Sequence, residues 1–219
     1  MITVAEIVQQ LIRQSPFVSE ALSEGLVNVS ALARKLQPDV QLLLGKPVKV
    51  GAIVMAINRQ HFGDVAFVEK NLRRFFKKLS NYSVRSNLTG ITFTNSDSLA
   101  KCQLDLLKII SEQPKVFHTF SQGISETTII IANSILEYVE DIFKDERMIS
   151  KEENLSSITL ILPEENQMIY GIYYYILKDL AWFGINLAEI ISTSNEFTLI
   201  VDDKNLDQTF SILMKLKGT

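Results

Sequence analysis

The chain of 219 residues contains one cysteine, two histidines, nine glycines and five prolines. A single cysteine excludes a disulfide framework within the chain and suits a reducing compartment. So few Gly and Pro exclude a collagen-like or loop-dominated architecture. They also leave little material for glycine-rich phosphate cradles, and no GxSxG, P-loop or GxGxxG motif occurs. His61, His118 and Cys102 are the whole inventory for His/Cys metal chemistry, and none stands at a ligand spacing. Cys102 reads as a small buried hydrophobe. No catalytic residue, metal or cofactor is expected. The most apolar run, Met168–Leu177, ends at Lys178, far short of the roughly 20 residues that span a bilayer. Glu6 stands where a signal peptide needs cations. The expectation is a soluble, cytoplasmic protein with no membrane partner.

What is present is unevenly distributed. The net charge of −3 hides a basic front and an acidic back. Residues 1–80 carry 11 Lys+Arg against 6 Asp+Glu, and residues 81–219 carry 11 against 19. Two modules with different surfaces follow from that asymmetry. The pairs Glu152-Glu153, Glu164-Glu165 and Asp202-Asp203 are read as solvated acids at loops.

Residues 1–80 read as a helical domain. Thr3 and Glu6 form a capping-box pattern, and Val4, Ile7, Val8, Leu11 and Ile12 follow one helix face. Pro16 suits the first turn of a second helix, stopped by Gly25. Asn28 or Ser30 caps a third, closed by Pro38, and Pro47 opens a fourth. A fifth runs from its cap, Asp64, to Leu79.

Beyond Asn81 the order strand–helix–strand–strand–helix occurs twice. Asn87–Thr94, Leu99–Ser111, Lys115–Ser121, Ser125–Ala132 and Ser134–Phe143 make the first set. Ser157–Pro163, Met168–Phe183, Ile185–Thr193, Glu196–Asp202 and a helix from Asn205 make the second. ISETTIII lies over SNEFTLIV at an offset of 70 residues, which argues for internal duplication. The fold class is therefore α+β: a helical domain (1–80) followed by two ferredoxin-like βαββα units (84–146 and 155–219). The charged segment Arg147–Ser157 reads as a link with at most a very short strand. The fourth strand that such a fold usually has is missing from the second unit.

Tyr170, Tyr173, Tyr174, Tyr175, Trp182 and Phe183 form a dense aromatic cluster. Three consecutive tyrosines cannot all face one core, although Tyr173 and Trp182 are read as inward. The loop Glu164–Tyr170 precedes a helix N-terminus, where free N–H groups and the dipole favour a carboxylate. Gly171, in that first turn, allows close approach of a ligand or another backbone.

The stretch ITLILPEENQMIYGIYYYILKDLAWFGINLAEIISTSNEFTLIVDD resembles an ACT domain, with its strand, Gly-containing helix start and "GIN" entry into the second strand. ISTSNEFTLIVD resembles the regulatory region of aspartate kinases, which carries two ACT units in tandem. The resemblance covers Leu155–Thr219 well and Arg85–Lys144 weakly; Lys101 stands where the first unit would have its glycine. It implies a non-catalytic domain that binds an amino acid or a related small effector and mediates homodimerisation. The implied ligand residues are Asn166, Gln167, Met168, Ile169, Tyr170 and Gly171, with Ile185, Asn186, Ser192 and Thr193 facing them. No lysine-phenylalanine-glycine-glycine start is present, so aspartate kinase activity is not expected.

The front half admits two roles. FVSEALSEGLVNVSALARKL offers helix, glycine-containing turn and helix, as in helix-turn-helix proteins. Arg34, Lys35, Arg73, Arg74, Lys77 and Lys78 would then contact DNA phosphates. Docking to a protein partner is the favoured role and DNA binding the lesser one. For the whole chain, effector sensing competes with a ligand-free dimerisation scaffold and a metabolite-responsive DNA-binding regulator.

Overall fold

Thr3 accepts a hydrogen bond from the Glu6 N–H while the Glu6 carboxylate accepts from the Thr3 N–H at 2.7 Å, so the capping box is formed. It opens α1 (Val4–Arg13) in the computed structural model, which describes residues 2–60, 63–79 and 81–218, with backbone only for 63–69. His61 lies outside the described residues, as does the side chain of Asp64. Contacts divide the chain into two units, Met1–Arg74 and Phe75–Thr219.

In the first unit α1 is followed by α2 (Pro16–Ser23), α3 (Val29–Leu44), α4 (Val50–Asn58) and most of α5 (Gly63–Lys77). Asn28 caps α3, its side chain accepting from the Ala31 N–H at 3.0 Å. Pro38 does not close α3 but sits inside it, and the helix runs on to Gly45 at φ 70°. Pro47 does not open α4 either, because Lys49 is its N-cap. Ile7, Val8, Ile12, Ala33, Val40, Ile53 and Ile57 meet in one core, in which α1, α3 and α4 pack together. None of these helices is long and apolar enough to cross a membrane, nor is any other among the described residues.

The second unit is built on a six-stranded antiparallel sheet of order β2-β3-β1-β4-β6-β5. Its strands are β1 (Tyr82–Thr94), β2 (His118–Gln122), β3 (Glu126–Ala132), β4 (Met148–Ile161), β5 (Glu189–Ser192) and β6 (Glu196–Asp202). Its helices are α6 (Leu99–Ser111), α7 (Leu136–Ile142), α8 (Ile172–Trp182) and α9 (Leu206–Gly218), joined by the C-terminal end of α5.

The two halves do not form separate sheets. β1 and β4 are long strands shared by both. The second half of β1 pairs with the first half of β4 (Ile91 with Lys151), and the first half of β1 with the second half of β4 (Val84 with Ile158). Tyr82–Arg85 thus occupies the fourth-strand position beside Ser157–Leu160. The segment taken for a link is strand, and Glu152 and Glu153 lie in it rather than at a loop. Their charge misled because the first half of β4 pairs on one side only. Charged side chains on such an edge discourage pairing with another chain.

Each long strand breaks register near one asparagine, Asn87 at φ 59° and Asn154 at φ 57°. Asparagine tolerates this left-handed conformation better than most residues, so each strand can kink where it passes from one half to the other.

Some hydrogen bonds occur at corresponding places in the two halves. Thr89 donates to Asn133 at 2.7 Å, and Ser156 donates to Asp203. The Thr94 N–H donates to the Arg147 carbonyl, and the Ile161 N–H to that of Asn81. Ile91, Phe93, Ile129 and Ile131 pack under α6 and α7. On the opposite face Leu88, Ile130, Leu155 and Ile200 form a smaller apolar cluster.

Candidate functional site

β4 ends at Ile161, and the Leu162 N–H donates to the Asn195 carbonyl at 2.7 Å, tying the strand end to the β5–β6 hairpin. Pro163 leads into a 3-10 turn, Glu164–Met168. The Asn166 side-chain nitrogen then donates to the carbonyls of Pro163 (3.0 Å) and Ser194 (2.8 Å). Asn166 therefore holds the loop against the hairpin with the amide expected to face a ligand. In the first half Asn95 does the same, donating to Gly123 and Ile124.

Gly171 is the N-cap of α8, at φ 89°, rather than part of its first turn. The helix starts at Ile172, not Met168, because this left-handed residue separates it from the 3-10 turn. The Gly171 carbonyl accepts from the Tyr175 N–H at 2.9 Å, but without a side chain it offers no acceptor to the other first-turn N–H groups. Gly171→Val is expected to cost about 1–3 kcal/mol, because a β-branched residue is strained at positive φ. Urea denaturation would measure it, and an unchanged midpoint would show that the turn relaxes freely.

The loop, the start of α8 and the hairpin enclose a cleft of about 670 Å³. Of the expected ligand residues, Asn166, Gln167, Ile169, Tyr170, Gly171 and Thr193 line it. Four others fall elsewhere. Met168 is 86% exposed outside the lining. Ile185 is 7% exposed, in the core. Asn186 lines a different depression, with Glu152 and Lys204. Ser192 lies outside the lining and exchanges a 2.6 Å hydrogen bond with the Tyr173 hydroxyl. Residues 184–188 enter β5 at the end of that strand remote from the hairpin, so the "GIN" segment cannot face the loop.

Sequence reading missed Leu162, Ile172, Tyr173, Tyr174 and Ser194. Tyr173 is half-exposed rather than inward, stacked on Phe197 at 4.7 Å. Tyr175 turns away to stack on Phe76. Trp182 is exposed rather than inward. The three-tyrosine run was the available signal, since one or two of the three had to leave the core.

Lys78 forms a 2.8 Å ion pair with Glu165, both groups about half-exposed, and it holds the Glu165 carboxyl below its ordinary range. At the loop of the first half a carboxylate is met by hydroxyls rather than by a lysine. Glu146 accepts from the Ser96 hydroxyl at 2.6 Å and lies 3.7 Å from the Cys102 thiol. The hydroxyls of Ser96 and Ser98 lower the pKa of Glu146, while burial and then the Glu146 charge raise that of Cys102. A lowered carboxylate pKa adds stability above the unfolded-state value, and that stability is lost as pH falls through the folded value. The stability difference between wild type and Glu146→Gln is therefore expected at neutral pH and should close in acid. Denaturation at pH 7 and pH 3 would check it, and a difference that persists in acid would contradict it.

The cations expected to meet DNA are exposed, with Arg34 and Lys35 on α3 and Arg73, Arg74 and Lys77 on α5. They do not form one set within a unit, since Lys77 and Lys78 belong to the second unit and the others to the first.

The second unit is an α+β fold in which one antiparallel sheet carries helices from both halves. Particular solved structures share it. Aspartokinase alpha and beta subunits match with a TM-score of 0.53 at 12% identity, over 64% of this chain and 99% of that one. The ligand-free regulatory subunit of aspartate kinase from Thermus thermophilus matches with 0.51 at 7%, over 63% and 97%. Aspartate kinase from Clostridium acetobutylicum matches with 0.51 at 14%, over 63% of this chain but 34% of that enzyme. At such identities the likeness is one of fold. No family model and no curated protein matches the chain.

Proposed function

We propose that this is a non-catalytic regulatory protein that binds an amino acid or a related small metabolite in the cleft between the β4–α8 loop and the β5–β6 hairpin. The observation that carries the reading is that six of the ten residues implied by the ACT resemblance line one cleft. Its fold, shared with isolated regulatory subunits of aspartate kinase, supports the same reading. The first-turn N–H groups of α8 would receive the carboxylate, and Gln167 would meet the polar remainder of the ligand. The two halves are a duplicated pair in which the second keeps the site. In the first, Glu146 stands at the corresponding loop. Homodimerisation and docking of the basic helical unit to a protein partner belong to the same proposal.

A thermal-shift screen of the twenty amino acids on the full chain tests it. A ligand at 100 times its Kd should add about 2.7 kcal/mol of stability. No shift with any of them would refute amino-acid sensing and favour the scaffold reading.

A further inference from the structure

The cleft has a chemical bias that the fold does not dictate. Among the described residues that line it there is no Asp, Glu, Lys, Arg or His. A negatively charged side chain would have only the Lys178 ammonium near it, beside Tyr174, and a positively charged one would meet no carboxylate in these walls, which is costly once water is displaced. The walls are instead aromatic and aliphatic: Tyr170, Tyr173, Tyr174, Ile169 and Leu162.

The tyrosines are differently prepared. Tyr173 is fixed in place, its ring stacked on Phe197 and its hydroxyl bonded to Ser192. Tyr174 has the Lys178 ammonium 5.7 Å from its ring centre. Tyr170 is 79% exposed at the cleft wall, so it has the most surface to gain from an occupant. A flat apolar group entering the cleft would meet one fixed ring and one uncovered ring. Aromatic pairs of that kind are favourable beyond simple area burial.

Resting on the amino-acid-binding reading above, we infer that the effector is an amino acid with an uncharged aromatic side chain, and that Tyr170 is the residue that selects it. The aromatic group lies against Tyr170 and Tyr173, and the carboxylate points to the start of α8. A single added aromatic contact is worth up to about tenfold in affinity.

The experiment is calorimetric titration of the full chain with L-phenylalanine, L-tryptophan, L-leucine, L-threonine, L-lysine and L-aspartate. At least one aromatic amino acid is expected to bind about tenfold more tightly than leucine. Tyr170→Ala should lose about that factor while melting like wild type without ligand, since the side chain is exposed, and Tyr170→Phe should keep it. Tighter or equal binding of leucine, threonine, lysine or aspartate overturns the aromatic assignment and leaves amino-acid sensing standing. Binding by none of the six, with no shift in the full thermal screen, overturns both. Aromatic affinity unchanged in Tyr170→Ala overturns the role given to Tyr170.

Discussion

Replacing Phe197 by alanine should lower the stability of the second unit by about 3–5 kcal/mol, the range for a large aromatic removed from a packed core. Phe197 lies on β6 and is 1% exposed. It is paired across the sheet with Leu160, itself fully buried. The lost ring leaves a cavity that the sheet cannot close, because the β4–β6 hydrogen bonds hold both strands in register. The same ring backs Tyr173 at 4.7 Å with an interplanar angle of 16°. The variant should therefore also lose ligand response at temperatures where it is still folded. Urea denaturation followed by circular dichroism measures the first effect, and titration at low temperature the second. Phe197→Leu separates the two, since it restores apolar volume but not a stacking face. A loss under about 1 kcal/mol in Phe197→Ala would mean that this core is not packed as described.

Phe76→Ala should cost a similar amount, about 3–5 kcal/mol, by a different route. Phe76 is fully buried near the end of α5, edge-on to Phe75 and stacked on Tyr175 at 5.2 Å. Phe75–Leu79 belongs with the sheet rather than with the helices before it. Removing Phe76 should loosen α8 from its side away from the cleft, so amide exchange should accelerate in both α5 and α8. Phe76 does not line the cleft, so once folded the variant should bind ligand much as wild type does. Equal loss of stability and affinity in both Phe variants would show that the two faces of α8 act as one body.

These two residues also mark how far the residues alone carry the reading. Phe197 sits in EFTLIVD, a short apolar run bounded by acids and buried on both faces, and its strand has the bounds that the residues suggest. Phe76 sits at helical spacing with Leu72 and Leu79, and its burial follows from that spacing. What it packs against does not, because Tyr175 is about a hundred residues away in the chain. The tyrosine run makes the same point. Period alone says that one or two of the three must leave the core, but the stack on Phe197 and the bond to Ser192 decide that Tyr173 supports the cleft.

Local elements and their order are written in the residues: the Thr3–Glu6 capping box, α6 from Leu99 to Ser111, β6, and the loop that leads into α8. Caps, turns and periodic burial act within a few residues, so they are legible there. That β1 and β4 pass through both halves follows only from long-range strand pairing. Half of β4 is charged and shows no alternation, since its stability comes from the backbone of β1 and not from buried side chains. The tertiary structure also puts Ile185 and Asn186 away from the cleft and Tyr173 and Tyr174 in its wall. Which strand end faces which loop depends on long-range pairing, and no local pattern encodes that.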